Sequence, residues 1–377
     1  MKWLWTTDEM ISAMVGRPIG TLPEGVTGIS IDSRSISEGE AFFAIKGDRV
    51  DGHNYASIAM ANGASLLVIS EAKLPALGRL TVPMIVVDDV LAALGRLGAA
   101  ARARTAAKIV AVTGSVGKTT TREMLRHVLE SSGKVHAAVA SFNNHWGVPL
   151  TLARMPEATD FGIFEIGMNH ADEIRPLVKM VRPHLAIITT VEPVHLEFFS
   201  GIEAIADAKA EIFAGIEPGG VAMLNRDNSQ FARLSKSAAA AGIKQIVSFG
   251  SDEKADARLI DVSLHPACSA VRAQILGQDI TYKIAMPGRH MVMNSLAVLA
   301  AASMAGADLA LSALALAQLK PASGRGVREV LALSEGTATL IDESYNANPA
   351  SMAAAITVLG QADIGPRGRR VAVLGDM

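Results

Sequence analysis

Residues 110–120 read Val-Ala-Val-Thr-Gly-Ser-Val-Gly-Lys-Thr-Thr, a β-branched run followed by a glycine-bearing loop and a helix start. Such a loop lets backbone N–H groups surround phosphate oxygens, and the helix N-terminus adds its dipole. The segment departs from the common G-x-x-x-x-G-K-[ST] pattern, because Val112 stands where the first glycine would be. The alternative is a glycine-rich turn that caps a core helix. The strand, loop and helix order favours a phosphate-binding loop made of Gly114, Ser115, Val116, Gly117, Lys118, Thr119 and Thr120. In it, Lys118 would reach the terminal phosphates and Thr119 would bind Mg²⁺.

A second candidate is Glu165, which ends the apolar run that begins at Phe161. A lone buried glutamate is costly unless it is paired or coordinates a cation. Glu165 is therefore a candidate Mg²⁺ ligand beside the phosphate-binding loop. The alternative is an exposed glutamate at a strand end.

The elements that would position these residues alternate between apolar strands and helical segments from Lys108 onward. This alternation predicts an α/β fold with a mostly parallel sheet covered by helices on both faces. Ligands then lie at the C-terminal ends of the strands. The predicted strands are 109–113, 161–166, 185–191, 221–224 and 246–249.

Three domains are predicted, with residues 1–106, 107–322 and 323–377. The first mixes short strands with turns and leads into a connecting helix over 91–107. The second closes with three short strands (257–264, 270–276 and 280–286) and a helical pair over 290–319. Strand, helix and strand signals then resume at 337–341, 349–359 and 370–374. The third domain is expected to be incomplete, because only about fifty residues follow Gly324.

Composition excludes several classes of protein. Half of the residues are hydrophobic, 19% are charged and the net charge is -2, which argues against disorder and against nucleic-acid binding. The single cysteine, Cys268, excludes an intrachain disulfide and fits a reducing, cytoplasmic location. The start lacks the apolar core of a secretory signal. The apolar stretch 295–317 is interrupted by Gly306 and Asp308, so two packed helices are expected instead of membrane insertion.

The shortened loop Thr113-Gly114-Ser115-Val116-Gly117-Lys118-Thr119 resembles the signature of the Mur ligase family, to which folylpolyglutamate synthetase is related. The segment 141–150 resembles the asparagine and G-V-P-L segment of the family, although His145 and Trp146 replace the more usual Glu-Ile. By this likeness, Asn143 and Asn144 lie on the substrate side of the cleft. Taken alone, the segment would be an ordinary turn.

The resemblance also assigns roles to His195 and to Lys209, which follows it by fourteen residues. In the family a histidine here helps to bind a second Mg²⁺, and a lysine at this distance is carbamylated. The chemistry is coherent, since burial lowers the pKa of an amine and lets it capture CO₂. Taken alone, His195 would be structural and Lys209 a solvated helix charge, but their spacing from the phosphate loop favours the functional interpretation.

Further along the chain, other residues resemble the nucleotide-binding elements of the family. His290 and Asn294 share a helical face and resemble the G-x-H-x-x-x-N element of the family, whose asparagine approaches adenine. Arg325 resembles an arginine that contacts the nucleotide. The run Tyr345-Asn346-Ala347-Asn348-Pro349 resembles the branch that adds D-alanyl-D-alanine. It implies Asp342 at the ribose, and Tyr345 with Asn346 at the adenine edge.

Near the start of the chain, the segments 31–35 and 43–53 resemble those with which related ligases hold a UDP group. The implied contacts are Ser33, Arg34, Asp51 and His53. Taken singly, these segments are equally compatible with ordinary turns.

Together, the resemblance implies an ATP-dependent ligase with ATP and two Mg²⁺ ions as cofactors. It would join D-alanyl-D-alanine to a UDP-N-acetylmuramoyl-tripeptide through an acyl phosphate, giving a peptidoglycan precursor. A monomer is expected. The alternatives are a sister ligase that adds one amino acid to a shorter UDP-muramoyl peptide, and a nucleotide-dependent switch or assembly protein. The run 345–349 argues against the sister ligase, and the set Glu165, His195 and Lys209 argues against the switch.

Overall fold

The computed structural model describes residues 3–47, 49–77, 82–194, 196–334, 336–365 and 368–376. The chain divides into two units, each with its own set of internal contacts. The first contains Met1–Ala107 and Ala138–Gly162, and the second contains Lys108–Ala137 and Ile163–Met377.

The first unit is built on a five-stranded sheet with the order β2-β7-β6-β5-β4. Strands β4 to β7 are parallel, and β2 pairs with β7 in the antiparallel direction. The elements are β1 Trp5–Thr6, α1 Thr7–Met14, β2 Arg17–Ile19, β3 Gly25–Val26, β4 Gly28–Ser30, β5 Glu40–Phe43, α2 Ala56–Ala61, β6 Leu66–Ser70, α3 Leu74–Leu77, β7 Met84–Val87, α4 Val90–Arg104 and, after the first elements of the second unit, α6 Gly147–Ala153.

Polar side chains cap the start of two helices of this unit, α1 and α4. The Thr6 and Glu9 side chains form a capping box at the start of α1, and the Asp89 carboxylate accepts the N–H of Ala92 at the start of α4. Between α1, α4 and the sheet lies a core that includes Met10, Phe43 and Leu94. The parallel strands are thereby covered, and their C-terminal ends stay available for ligands.

The second unit is built on a nine-stranded sheet with the order β16-β15-β14-β13-β12-β11-β8-β10-β9. Strands β8, β11, β12, β13 and β14 run parallel, and β14, β15 and β16 form an antiparallel meander. The elements are β8 Lys108–Thr113, α5 Lys118–Leu129, β9 Val135–Ala137, β10 Phe161–Glu165, α7 Ile174–Val181, β11 Leu185–Ile188, α8 Ile202–Ala210, β12 Val221–Asn225, α9 Phe231–Ala240, β13 Gln245–Gly250, β14 Ala257–His265, β15 Cys268–Ile275, β16 Gln278–Ile284, α10 Arg289–Met304, α11 Leu309–Leu316, β17 Val327–Leu333, β18 Gly336–Asp342 and α12 Pro349–Gln361.

The predicted α/β class with a central parallel sheet is confirmed. The strands β8, β11 and β12 are almost completely buried, which explains their continuous apolar sequences. The three short strands after Ser251 are present as the antiparallel meander. The stretch 295–317 falls into α10 and α11, and no helix in the described part of the chain is long and apolar enough to cross a membrane.

The last part of the chain differs from the prediction in two details. Strand β17 was not predicted; it pairs with β18 in an antiparallel hairpin. Residues 368–376 contain no strand, although one was predicted over 370–374. The apolar run 371–374 satisfies the sequence pattern, but a strand also needs a hydrogen-bonding neighbour, and Val373 is 93% exposed.

Segment 138–162 belongs to the first unit, and residues 323–377 group with the second. The division into three domains at 106 and 322 stays a prediction.

Candidate active site

The predicted phosphate-binding loop lies between β8 and α5, at the C-terminal edge of the parallel sheet. Gly114 has φ 150° and Gly117 has φ 84°, conformations that favour glycine. A Cβ atom at Gly114 would overlap the Thr189 hydroxyl, and one at Gly117 would lie 3.0 Å from the Asn294 side-chain nitrogen. Both glycines are thus required by backbone shape and by close neighbours.

Lys118 is the first residue of α5 and folds back over the loop. Its Nζ donates to the Gly114 carbonyl oxygen at 2.8 Å. Burial lowers the pKa of Lys118; the negative charge of Glu165 opposes the shift, and the positive charge of Arg325 adds to it. Lys118 therefore lies within electrostatic reach of both of these predicted site residues.

Glu165 lies at the end of β10 and is only 2% exposed. The Nε of Arg122, one helical turn after Lys118, is 3.9 Å from its Oε2. Thr119, on the first turn of α5, is also buried. A carboxylate and a hydroxyl are hard oxygen donors, and their chemistry fits Mg²⁺. The described residues contain no cluster of three or more His, Cys, Asp or Glu residues that would form a closed metal cage.

Lys209 lies in the last turn of α8 and is 2% exposed. Its pKa is well below the usual value, first because of burial and then because of the positive charge of Lys118. Sequence positions 118, 165 and 209 are far apart in the chain, yet the fold makes each of these side chains an electrostatic neighbour of another. His195, predicted to act with them, lies outside the described residues.

The segment before position 195 is anchored to the phosphate loop by contacts that sequence analysis did not identify. The Ser115 hydroxyl donates to the Glu192 carbonyl at 3.0 Å and accepts the Glu192 N–H at 2.9 Å. Asn228 donates to the Thr190 hydroxyl at 3.0 Å and to the Val191 carbonyl at 2.9 Å. These contacts follow from the order of β8, β11 and β12 in the sheet, whose ends meet at one edge, and no sequence pattern indicates them.

A cavity of about 350 Å³ lies beside the start of α10, under the β17–β18 hairpin. Its lining includes His290, Arg325 and Glu343. Burial lowers the pKa of His290, which favours the neutral imidazole. Burial also raises the pKa of Glu343, against the effect of Arg325 and with that of Asp342. Glu343 was not among the predicted site residues, although it stands next to Asp342 in the sequence.

The predicted adenine and ribose contacts surround the same region. The guanidinium of Arg325 lies over the Tyr345 ring, 4.2 Å from its centroid, and half of Tyr345 is exposed. Asp342 accepts the Ser344 N–H at 3.0 Å, and hydrogen bonds from Ser344 lower its pKa. The Asn346 side chain accepts the Ala347 N–H at 2.9 Å. Local hydrogen bonds thus order the loop after β18. The guanidinium of Arg325 packs against the aromatic face of Tyr345.

In the first unit, the turn after β4 carries Ser33 and Arg34. Ser33 is buried, whereas the Arg34 side chain is 86% exposed and forms an ion pair with Asp32 at 2.7 Å. Hydrogen bonds from Arg34 lower the pKa of Asp32 to about 2. An exposed guanidinium held in place by an acid is available to an anionic ligand.

Asp51 and His53 form a compact network at the end of β6. The Asp51 carboxylate lies 2.7 Å from His53 Nδ1 and 2.7 Å from Lys73 Nζ. Burial raises the pKa of Asp51, but the hydrogen bonds from Lys73 and His53 outweigh it and keep the pKa well below its usual range. His53 Nε2 accepts the Ser70 N–H at 3.0 Å, which assigns the proton to Nδ1. Both nitrogens of this buried ring are therefore used within the protein.

Asn143 and Asn144 precede α6 in the first unit. The Asn144 side-chain oxygen accepts the Gly147 N–H at 2.9 Å, at the start of that helix. Phe142 and Trp146 pack against each other in the same turn, with ring centroids 5.4 Å apart. The segment has a well-defined local structure, and the assignment of its asparagines to substrate binding stays a prediction.

Comparison with known proteins agrees with this geometry. The family model of the Mur ligase middle domain matches residues 112–302, and that of the Mur ligase family catalytic domain matches residues 25–102. Together they cover more than half of the chain. The chain belongs to the Mur ligase family.

Individual relatives within the family give a more specific comparison than the family models. The chain is 34% identical to the UDP-N-acetylmuramoyl-tripeptide--D-alanyl-D-alanine ligase of Escherichia coli K12, over 93% of the chain and 74% of the relative. The enzyme of the same name from Bacillus subtilis 168 is 33% identical over 93% of the chain and 74% of its own length.

Solved structures give the same result. A crystal structure of MurF from Acinetobacter baumannii superimposes with a TM-score of 0.83 at 32% identity, covering 95% of this chain and 77% of that one. The MurF ligase of Thermotoga maritima in complex with ADP superimposes with a TM-score of 0.71 at 26% identity, covering 89% and 74%.

Proposed function

We infer that this chain is an ATP-dependent amide ligase that joins D-alanyl-D-alanine to a UDP-N-acetylmuramoyl-tripeptide. The product is the UDP-muramoyl-pentapeptide precursor of peptidoglycan. One observation supports the conclusion: in a chain one third identical to ligases of this name, a glycine-framed loop precedes Lys118, which is an electrostatic neighbour of both Glu165 and Lys209.

The reaction has two steps. An oxygen of the C-terminal carboxylate of the tripeptide bonds to the γ-phosphorus of ATP, and the bond from that phosphorus to ADP breaks. The amine of D-alanyl-D-alanine then attacks the acyl carbon of the acyl phosphate, phosphate leaves with the bonding electrons, and the amine loses a proton. Transfer of a phosphoryl group depends mainly on positioning and electrostatics. The loop N–H groups and Lys118 supply both.

Thr119 and Glu165, together with His195, are the residues that we propose to hold Mg²⁺, with two ions in the complete site. A bound Mg²⁺ would neutralise charge on the phosphate oxygens. Support comes from the buried carboxylate and hydroxyl on neighbouring elements.

We further propose that Lys209 is carbamylated. A neutral amine attacks the carbon of CO₂ and loses a proton, which leaves a carbamate anion. Burial and the positive charge of Lys118 both lower the pKa of Lys209, which favours the neutral amine, and the resulting anion would compensate the positive charge of Lys118. The proposal thus explains how two amines are accommodated close together in a buried site.

ATP is proposed to extend from the phosphate loop towards the cavity under the β17–β18 hairpin, with adenine near His290, Asn294 and Arg325. Tyr345 and Asn346 would contact the adenine edge, and Asp342 the ribose. In the first unit, Ser33 and Arg34 are the proposed contacts of the UDP group, supported by Asp51 and His53, with Asn143 and Asn144 towards the peptide. A cytoplasmic location and a monomeric state complete the proposal.

Coupled phosphate release tests the function directly. The protein is assayed with ATP, Mg²⁺ and UDP-muramoyl peptides of different lengths, with and without D-alanyl-D-alanine. We expect release only when both the tripeptide substrate and the dipeptide are present, together with a pentapeptide product identified by mass spectrometry. Release that requires a shorter peptide and a single amino acid would favour the sister ligase, and nucleotide binding without any ligation would favour the switch protein.

A further inference from the structure

Glu211 forms a bridge between two elements of the second unit. It begins the 3₁₀ turn Glu211–Gly215, which follows α8 directly. Its side chain is 6% exposed, and its two oxygens accept different backbone N–H groups, that of Asp172 at 2.6 Å and that of Arg175 at 3.0 Å. Both donors lie at the start of α7, a different part of the chain.

This bridge has the features of a strong interaction. A buried carboxylate is costly unless hydrogen bonds replace its water, and bonds from N–H groups to a charged acceptor are stronger than those between neutral groups. The position at a helix N-terminus adds the favourable dipole. Asp172 also has φ 64°, an uncommon conformation for a residue other than glycine, and its bond to Glu211 holds it there.

The two ends of the bridge are adjacent to active-site residues. On one side, Glu211 is two residues beyond Lys209, in the turn that ends α8. On the other, Asp172 belongs to the loop that begins directly after Glu165. That loop is tied again where the Glu173 carboxylate accepts the Asn169 N–H at 2.7 Å. The Glu211 carboxylate therefore links the backbone near Lys209 to the backbone of the loop after Glu165.

We propose that Glu211 is a positioning residue, which fixes the Lys209 amine relative to Glu165 and Lys118. The inference rests on the proposed function of that site. Its physical basis is that a displacement of about 1 Å in a reacting group can reduce the rate about 10²-fold. Without the bridge, the end of α8 and the loop after β10 are free to shift apart, although each remains folded.

The test compares Glu211→Gln with Asp308→Asn in the full chain. Glutamine keeps the size of the side chain and one acceptor oxygen, but it directs an amide N–H group at one of the two backbone donors. Asp308 is a matched control, since its carboxylate also accepts a helix-start N–H, that of Leu311 at 2.8 Å, away from the active site. Each variant is assayed for kcat, for KM of ATP and for its thermal unfolding midpoint.

A further readout follows Lys209 itself. Native protein is treated with a trace of amine-acylating reagent, and modification of Lys209 is measured by mass spectrometry against the exposed Lys236. For Glu211→Gln we expect kcat to fall about 10- to 100-fold, as for other residues that orient a ligand or catalytic group. We also expect an unchanged KM for ATP and a several-fold faster acylation of Lys209. Asp308→Asn should change none of these.

The proposal is overturned if Glu211→Gln loses no more activity than Asp308→Asn, or if its Lys209 is acylated no faster. If Glu211→Gln fails to fold, Glu211→Asp replaces it, since the shorter side chain keeps the charge but cannot span both donors. If the proposed function is wrong, the protein without any substitution will instead form no ligation product. The acylation comparison would still decide whether Glu211 positions Lys209.

Discussion

Two amines and one carboxylate dominate the electrostatics of the site at the scale of single residues. Lys118 is close enough to Lys209 for its positive charge to oppose protonation of Lys209, whereas Glu165 favours the charged form of Lys118. Burial disfavours both ammonium groups. The pKa of both amines is therefore lowered, with Glu165 partly opposing the shift at Lys118 and the charge of Lys118 adding to the shift at Lys209.

We expect Lys118→Ala to reduce ligation at least about 10²-fold, the usual cost of removing a group that stabilises transition-state charge. The free energy of unfolding should change by less than about 1 kcal/mol, because this half-buried side chain contacts loop carbonyls and not the apolar core. Product formation and thermal unfolding measure the two quantities. A folded Lys118→Ala protein with normal product formation would refute the phosphate-loop assignment.

Lys209→Ala should also abolish ligation, and a small carboxylate such as formate or acetate in the assay is expected to restore part of it. The physical reason is that an added anion can occupy the position of the carbamate. In the unmodified protein, ¹³C-labelled bicarbonate should give a carbamate resonance that Lys209→Ala lacks. Carbamylation would be excluded if Lys209→Ala is active and if Lys209 of the original protein carries no carbamate in the presence of bicarbonate.

At the scale of elements, the parallel sheet decides which loops meet. Strands β8 and β11 are direct neighbours, and β11 also pairs with β12, so their C-terminal loops lie side by side. The Ser115 hydroxyl and the Asn228 amide tie these loops together. The phosphate loop is thus held by its neighbours as well as by its own glycines.

Replacement of Asn228 by alanine tests this support. It removes two hydrogen bonds to residues 190 and 191, each worth about 1 kcal/mol on average. We expect a higher Kd for ATP by about 3- to 30-fold, as measured by calorimetry, without loss of the fold. Gln274→Ala, which removes an exposed bond to Asp279, is the control and should bind ATP normally.

Much of this arrangement was predictable from sequence, because its determinants are local. Alternation of strands and helices predicted the sheet, and the run Gly114 to Thr120 predicted the phosphate loop at its edge. Glu165 was identified because an acid at the end of an apolar strand is unusual. The meander after Ser251 was also predicted, because three short strand patterns follow one another there without intervening helices.

The remaining features depend on contacts between distant residues. No local pattern predicts that Glu211 accepts two N–H groups from the start of α7, or that segment 138–162 packs with the first unit. Strand β17 was missed because it is largely exposed on both faces and its sequence is ambiguous until β18 pairs with it. His53 was predicted as a ligand contact, and only the structure identifies both of its internal partners.

At the scale of the whole molecule, the chain contains two units, and the proposal assigns a different ligand to each. Nucleotide contacts are assigned to the second unit, whereas Ser33, Arg34 and their neighbours in the first are assigned to the UDP group. A ligand that binds only the folded state stabilises it by about 2.7 kcal/mol at a concentration of 100 Kd. The stabilisation is strongest in the part of the structure that the ligand contacts, because local opening there must release it.

Hydrogen exchange followed by mass spectrometry should therefore distinguish the two ligands. We expect ADP with Mg²⁺ to protect the phosphate loop and the first turns of α5 and α10. The UDP-muramoyl peptide should protect the turn after β4 and residues 51–55. Lys118→Ala should lose the protection by ADP and keep that by the UDP compound, whereas Arg34→Ala should do the reverse, since each substitution removes a contact in only one unit. Protection of the phosphate loop by the UDP compound, with no change near Ser33, would contradict the assignment of that ligand to the first unit and would leave the nucleotide site unaffected.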